Sequence, residues 1–90
     1  MRYLTVRDLH ALLSGTPVAT LRTTGTSYRG PVLLHDIEVG AILGHGRLVS
    51  VVQEGPLHRW TVDHVESLLP IPCRLRPGLH VVPEATRALL

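Results

Sequence analysis

From residue 22 to residue 35 the chain reads Arg-Thr-Thr-Gly-Thr-Ser-Tyr-Arg-Gly-Pro-Val-Leu-Leu-His, and its densest chemistry sits in the first nine positions. Arg22 and Arg29 carry planar guanidinium forks that grip a phosphate or a base edge through paired hydrogen bonds. Tyr28 offers a ring on which a nucleobase can stack. Thr26 adds a hydroxyl, and Gly30 supplies backbone freedom beside Pro31, which fixes the start of the next strand. A plain turn needs far less hydrogen-bonding capacity. A structural alternative stands beside the binding one: Tyr28 and Arg29 can also pin the loop through backbone carbonyls, and the residues alone leave both open. The neighbouring threonines, Thr20, Thr23, Thr24 and Thr26, read first as strand and loop formers.

All nine side-chain cations are arginine. Without lysine, neither a phosphate-cradling P-loop nor a Schiff-base mechanism is available. The formal net charge of +2 is too small to argue for nucleic acid by itself, although guanidinium groups suit phosphate and base recognition. Six histidines and one cysteine are scattered without Cys-x-x-Cys or His-x-x-x-His spacing, and His58 with His64 is a loose fit, so no metal site is expected. No nucleophile elbow or complete dinucleotide fingerprint appears either, and no cofactor is implied. Trp60, the sole tryptophan in a chain without phenylalanine, reads as a core anchor. His35 and His80 fall in strand patterns as satisfied, partly buried groups.

The elements that must position these residues follow from spacing. Ninety residues make one domain, 1–90, without repeats or linkers, burying about 60–65% of its unfolded surface around an aliphatic core. Residues 1–4 suggest a short strand edge. Thr5 then reads as an N-cap with Asp8 three positions on, and Val6, Leu9, Leu12 and Leu13 recur at helical spacing until Gly15 and Pro17. Strands are predicted over 18–23, 32–37, 41–53, 57–69 and 79–82, and the second is expected to run back beside the first. Paired Gly44 and Gly46 inside the third suggest a bulge or a close backbone approach. Pro70 and Pro72 are expected to break the fourth into a loop. Pro83 and Glu84 open a terminal helix reaching Leu90. The class is α+β: about five strands with a helix near each terminus, closed into a small barrel that hides its edges. A lone cysteine, no signal peptide and no membrane-length apolar run fit a cytoplasmic chain with no membrane partner.

In order, these segments resemble an ASCH domain of the PUA-like superfamily. The matching stretches are Leu4-Thr5-Val6-Arg7, Gly15 with Leu21-Arg22, Thr26-Ser27-Tyr28-Arg29-Gly30-Pro31-Val32-Leu33-Leu34-His35, and Gly40-Ala41-Ile42-Leu43-Gly44. Trp60, Pro70-Ile71-Pro72 and Gly78-Leu79-His80-Val81 follow. The match spans nearly the whole chain. It departs where the family carries a lysine (here Pro17), a glutamate (Thr20) and the glutamine, proline and tryptophan of the first helix (Asp8, Leu9, His10). The connection after His35 is trimmed to residues 36–39, as in a minimal version of the domain.

The resemblance implies an RNA- or modified-nucleoside-binding module, its pocket between the first helix and the Arg22–Gly30 loop. Arg22 and Arg29 would contact phosphate or base edge, Tyr28 and His10 would stack, and Arg7 would form an electropositive rim, with Thr26 and Gly30 in the same loop. One branch of the family removes the acyl group of N4-acetylcytidine, and Thr20 and Arg22 match its strand pattern. Thr20 would then be the catalytic residue of an amidohydrolase, although Pro17, at the lysine position, cannot activate a hydroxyl or bind an oxyanion. Another branch is linked to RNA cleavage. A third reading is an interaction module with a degenerate pocket. The trimmed connection could also leave an edge for a homodimer.

Overall fold

The computed structural model describes residues 2–6 and 18–88. Six strands, β1 (Arg2–Val6), β2 (Val18–Arg22), β3 (Gly30–Asp36), β4 (Ala41–Glu54), β5 (Leu57–Pro72) and β6 (Leu79–Val81), precede one short helix, α1 (Glu84–Arg87). All six join one mixed sheet in the order β2-β5-β4-β3-β1-β6. Every pairing is antiparallel except β1 with β3, which runs parallel from Arg2↔Val32 to Val6↔Asp36.

The β4–β5 hairpin shapes the molecule. Gly55 takes φ 61° at the first position of its two-residue Gly55-Pro56 turn, as a primed hairpin turn demands. A straight strand of β5's 16 residues would span about 50 Å, yet the longest extent of the fold is 38 Å, so the hairpin bends. The bending sites are visible in its ladder, which shifts register between Ile42 and Gly44, His45 and Arg47, and Leu48 and Ser50. Extra residues of this kind strengthen twist and curl a sheet. The curled sheet stays open, so the expected closed barrel is corrected to a half-barrel.

Two cores sandwich the central strands. Leu4, Val6, Val32, Leu34, Leu48, Trp60 and Val62 fill the concave side. Tyr3, Leu33, Ile42 and Val82 pack on the convex side beneath Leu68, Ile71, Cys73 and Leu75. Burial on both faces explains why β1 and β3 are buried nearly throughout, as for the interior strands of a covered sheet. His35, 1% exposed, bridges to the covering segment: its Nε2 donates to the Cys73 carbonyl at 3.0 Å, and Nδ1 lies 3.4 Å from Thr5 Oγ1. Tyr3 Oη and Thr5 Oγ1 both donate to the Arg76 carbonyl, at 3.0 and 3.2 Å.

Several expectations are overturned. Thr5 and Val6 belong to β1 rather than to a helix start, and β1 is interior, paired on both sides, rather than an edge. The rest of the expected first helix lies outside the described residues. The strand after the Arg-rich loop does not run back beside the one before it: β2 pairs with β5, while β3 pairs with β4 and β1. The loop over residues 23–29 crosses two intervening strands, a gap of about 15 Å that seven residues span with ease. Since β3 is flanked on both sides, the trimmed connection leaves no edge there; the outer edges belong to β2 and β6.

Pro70 and Pro72 remain inside β5, opposite β4. The Cys73 N–H donates to the Gly40 carbonyl on the β4 side, so alternation turns the Pro70 and Pro72 nitrogens to the other edge. β2 covers that edge only along residues 58–62, and proline is tolerated on an uncovered edge. At the C-terminal end α1 holds four residues, far shorter than expected, with Pro83 at its N-cap and Glu84 in its first turn.

Candidate functional site

The opening of the half-barrel is a cleft of about 370 Å³ between β2 and the end of β1. Register explains what faces it. Thr20 lies opposite Trp60 and Arg22 opposite His58, and directly paired residues share a face, so Thr20 and Arg22 turn toward the concave side where Trp60 is buried. Leu21 alternates outward and is 52% exposed at the rim. Val6, Ile37 and Pro77 complete the apolar wall, and Thr5 lies opposite.

Arg22 organises the cleft. Its guanidinium lies over the Trp60 ring, 5.3 Å from the centroid. Nε donates to Thr20 Oγ1 at 3.3 Å, and Nη2 donates to the Thr5 carbonyl. That carbonyl is available because β6 stops short. The Thr5 N–H donates to Gly78, so its C=O points to the same side, where no strand follows among the described residues. The side chain of β2 thus supplies the bond a closing strand would have made. Burial pushes the Arg22 guanidinium below its usual value. The ion pairs among the described residues are His45–Glu66, Arg59–Glu54 and His64–Asp63, so Arg22 has no carboxylate partner among them. Nη1 makes no hydrogen bond within the described residues. Trp60 is absent from the described lining of the cleft, whereas Arg22 belongs to it.

The remaining loop residues are placed apart from the cleft lining. Tyr28 Oη donates to the Pro31 carbonyl at 2.7 Å, and Arg2 lies 4.8 Å over the Tyr28 ring. Arg29 Nη1 donates to the carbonyls of Thr26 and Tyr28, at 3.0 and 2.8 Å. Thr26 Oγ1 accepts from the Tyr28 N–H at 3.2 Å. Gly30 takes φ 136°, and a Cβ there would stand 3.2 Å from Tyr28 Oη. The Tyr28 bond ties the loop to β3, as the pinning alternative expects, whereas the Arg29 bonds stay within the loop. The Trp60 Nε1–H donates to the Thr24 carbonyl at 2.9 Å and ties the same loop to β5. Arg7 and His10 lie outside the described residues.

Of the sequence candidates, then, the structure brings Thr20 and Arg22 together in a cleft and sets Thr26, Tyr28, Arg29 and Gly30 in the adjoining loop. Sequence reasoning missed Thr5, whose contribution is a backbone carbonyl with no side-chain signature. It missed Leu21, on the outward phase of the edge strand β2, and Ile37, in the turn after β3. Chemically, the cleft offers hydrogen-bond donors on one wall and apolar surface on the other. Its described lining holds no histidine or carboxylate that could serve as a general base. The described residues contain no group of metal-ligating side chains. No family model and no curated protein matches the chain.

Proposed function

We propose that the protein is an ASCH-like module that binds RNA or a modified nucleoside, with the base seated in the cleft between β2 and the end of β1. The observation that carries this reading is the Arg22 guanidinium, which lies over the buried Trp60 ring and lines the cleft that Trp60 does not reach. Unstacked bases are held on such planes in single-stranded RNA recognition. Leu21, Ile37 and Pro77 supply apolar contact for a ring edge, and Thr20 Oγ1, which accepts from Arg22 Nε, keeps its own proton to donate. A volume of about 370 Å³ is at the small end of ligand sites and suits one base with its sugar. Tyr28, Arg29 and Thr26 act in this reading by fixing the loop that carries the chain from β2 to β3.

Hydrolysis of an acylated cytidine by Thr20 is the weaker reading, because the Nε–H of Arg22 occupies an oxygen lone pair and no base adjoins it in the described lining. Fluorescence titration with short single-stranded RNA tests the binding reading through Trp60, whose indole lies against Arg22. Saturable quenching that weakens with salt is expected. No quenching with any homopolymer, or with free nucleosides including N4-acetylcytidine, refutes it and leaves an interaction module. Release of cytidine above the uncatalysed rate in the same samples would restore the hydrolase.

A further inference from the structure

Arg22 is a half-buried cation in a cleft whose described lining carries no acid. Charges withdrawn from water are ordinarily paired, since an uncompensated buried ion costs far more than a neutral hydrogen-bonded group. Here compensation within the described residues consists of one backbone carbonyl, one hydroxyl and the face of Trp60, all neutral. The Arg22 Nη1 is unoccupied by the described residues.

We infer that the cleft selects a nucleoside phosphomonoester, with the phosphate on Arg22 Nη1, over the corresponding neutral nucleoside. The inference rests on the nucleoside-binding reading above and adds the charge of the ligand to it. A terminal phosphate can arrive on a free mononucleotide or at the end of an RNA strand; both present the same dianion, and both fit a cleft with room for one nucleotide unit.

Isothermal titration of the whole chain compares cytidine, uridine and adenosine with their 5′- and 3′-monophosphates, inorganic phosphate, and a short RNA with and without a 5′-phosphate. At least one monophosphate is expected to bind about ten- to a hundredfold tighter than its nucleoside, the gain of a charge-assisted hydrogen-bond pair. That advantage should shrink as salt is raised. A 5′-phosphate that improves the RNA by the same factor assigns the strand end; no improvement assigns the free mononucleotide. Equal affinities for nucleoside and monophosphate overturn the inference while leaving the nucleoside reading in place. No binding by any of them removes both. Inorganic phosphate binding as tightly as the best mononucleotide also overturns it, by showing a bare anion site. Arg22→Lys keeps the charge but loses the fork. Once circular dichroism shows a wild-type fold, it should weaken the monophosphate more than the nucleoside, so that the preference falls. An unchanged preference refutes the assigned residue.

Discussion

Gly46 gives the sharpest test of how the hairpin is packed. It lies in β4 where the ladder to β5 shifts register, and a Cβ added there would stand 2.6 Å from Val62 Cγ1 and 3.0 Å from the Asp63 carbonyl oxygen. Neither neighbour yields readily. Val62 is 3% exposed within the concave core, and the Asp63 oxygen is backbone. Overpacking of this kind costs about 1–3 kcal/mol. Against it stands the reduced freedom of the unfolded chain when glycine becomes alanine, about 0.4–1 kcal/mol in favour of the variant. Gly46→Ala should therefore lose roughly 1–2 kcal/mol, which for a domain of this size lowers Tm by roughly 4–16 °C. Urea unfolding followed by circular dichroism, with a parallel thermal scan, reads both quantities. The cause is isolated by repeating the substitution in Val62→Ala, where the clashing methyl is gone and the penalty should fall by half or more. A Gly46→Ala protein as stable as the parent, or a penalty unchanged in the Val62→Ala background, would refute the close-approach argument.

Trp60→Phe removes the bond from Nε1 to the Thr24 carbonyl and part of the surface under Arg22; a loss of about 1–2 kcal/mol in urea unfolding is expected, and no loss would refute the tie. Asp36 is buried and its Oδ1 accepts from the N–H groups of Glu38 and Val39, at 2.8 and 3.2 Å. Asp36→Ala should cost about 2–3 kcal/mol in urea unfolding, and no loss would contradict the acceptor role. The Arg59 hydrogen bond holds the Glu54 carboxyl below its usual value. A depressed carboxyl stabilises the fold above its unfolded pKa, and that contribution fades as pH falls through the folded value. The Tm difference between wild type and Glu54→Gln, small because the pair is exposed, should be present at pH 7 and fade as the carboxyl is protonated in acid; a difference undiminished in acid would refute it.

The strands were legible where local pattern decides. The predicted segments 18–23, 32–37, 41–53 and 79–82 each fall within a residue or two of β2, β3, β4 and β6. The Gly44–Gly46 irregularity and the burial of Trp60 were readable for the same reason: bulges and large aromatics leave their mark on composition. What could not be read depends on partners distant in sequence. Thr5 followed by Asp8 mimics a capping box, but the pairing of β1 with both β3 and β6 overrides that local preference. The prolines at 70 and 72 break a strand only if both of its edges are covered, and nothing local says that β2 ends its pairing at Val62. The cleft was half legible. Arg22 was singled out by its type and Thr20 by the resemblance, while Tyr28 and Arg29, equally rich in chemistry, turn to carbonyls of β3 and of their own loop. A side chain's donors advertise capacity; only the fold decides where they are spent.

The placement of β1 dictates the tempo of folding. Its residues meet those of β3 on one side and those of β6 on the other, so Leu4 needs both Leu34 and Leu79. During synthesis that segment emerges early and stays incomplete until nearly all of the domain has been made. The β4–β5 hairpin can zip locally in microseconds, but the central staple of the sheet must wait for ends far apart along the chain, and such topologies fold in milliseconds to seconds. A nascent chain of this protein therefore carries Tyr3, Leu4 and Val6 unsheltered for most of its assembly, and the last short strand, Leu79–Val81, is the piece that locks them away.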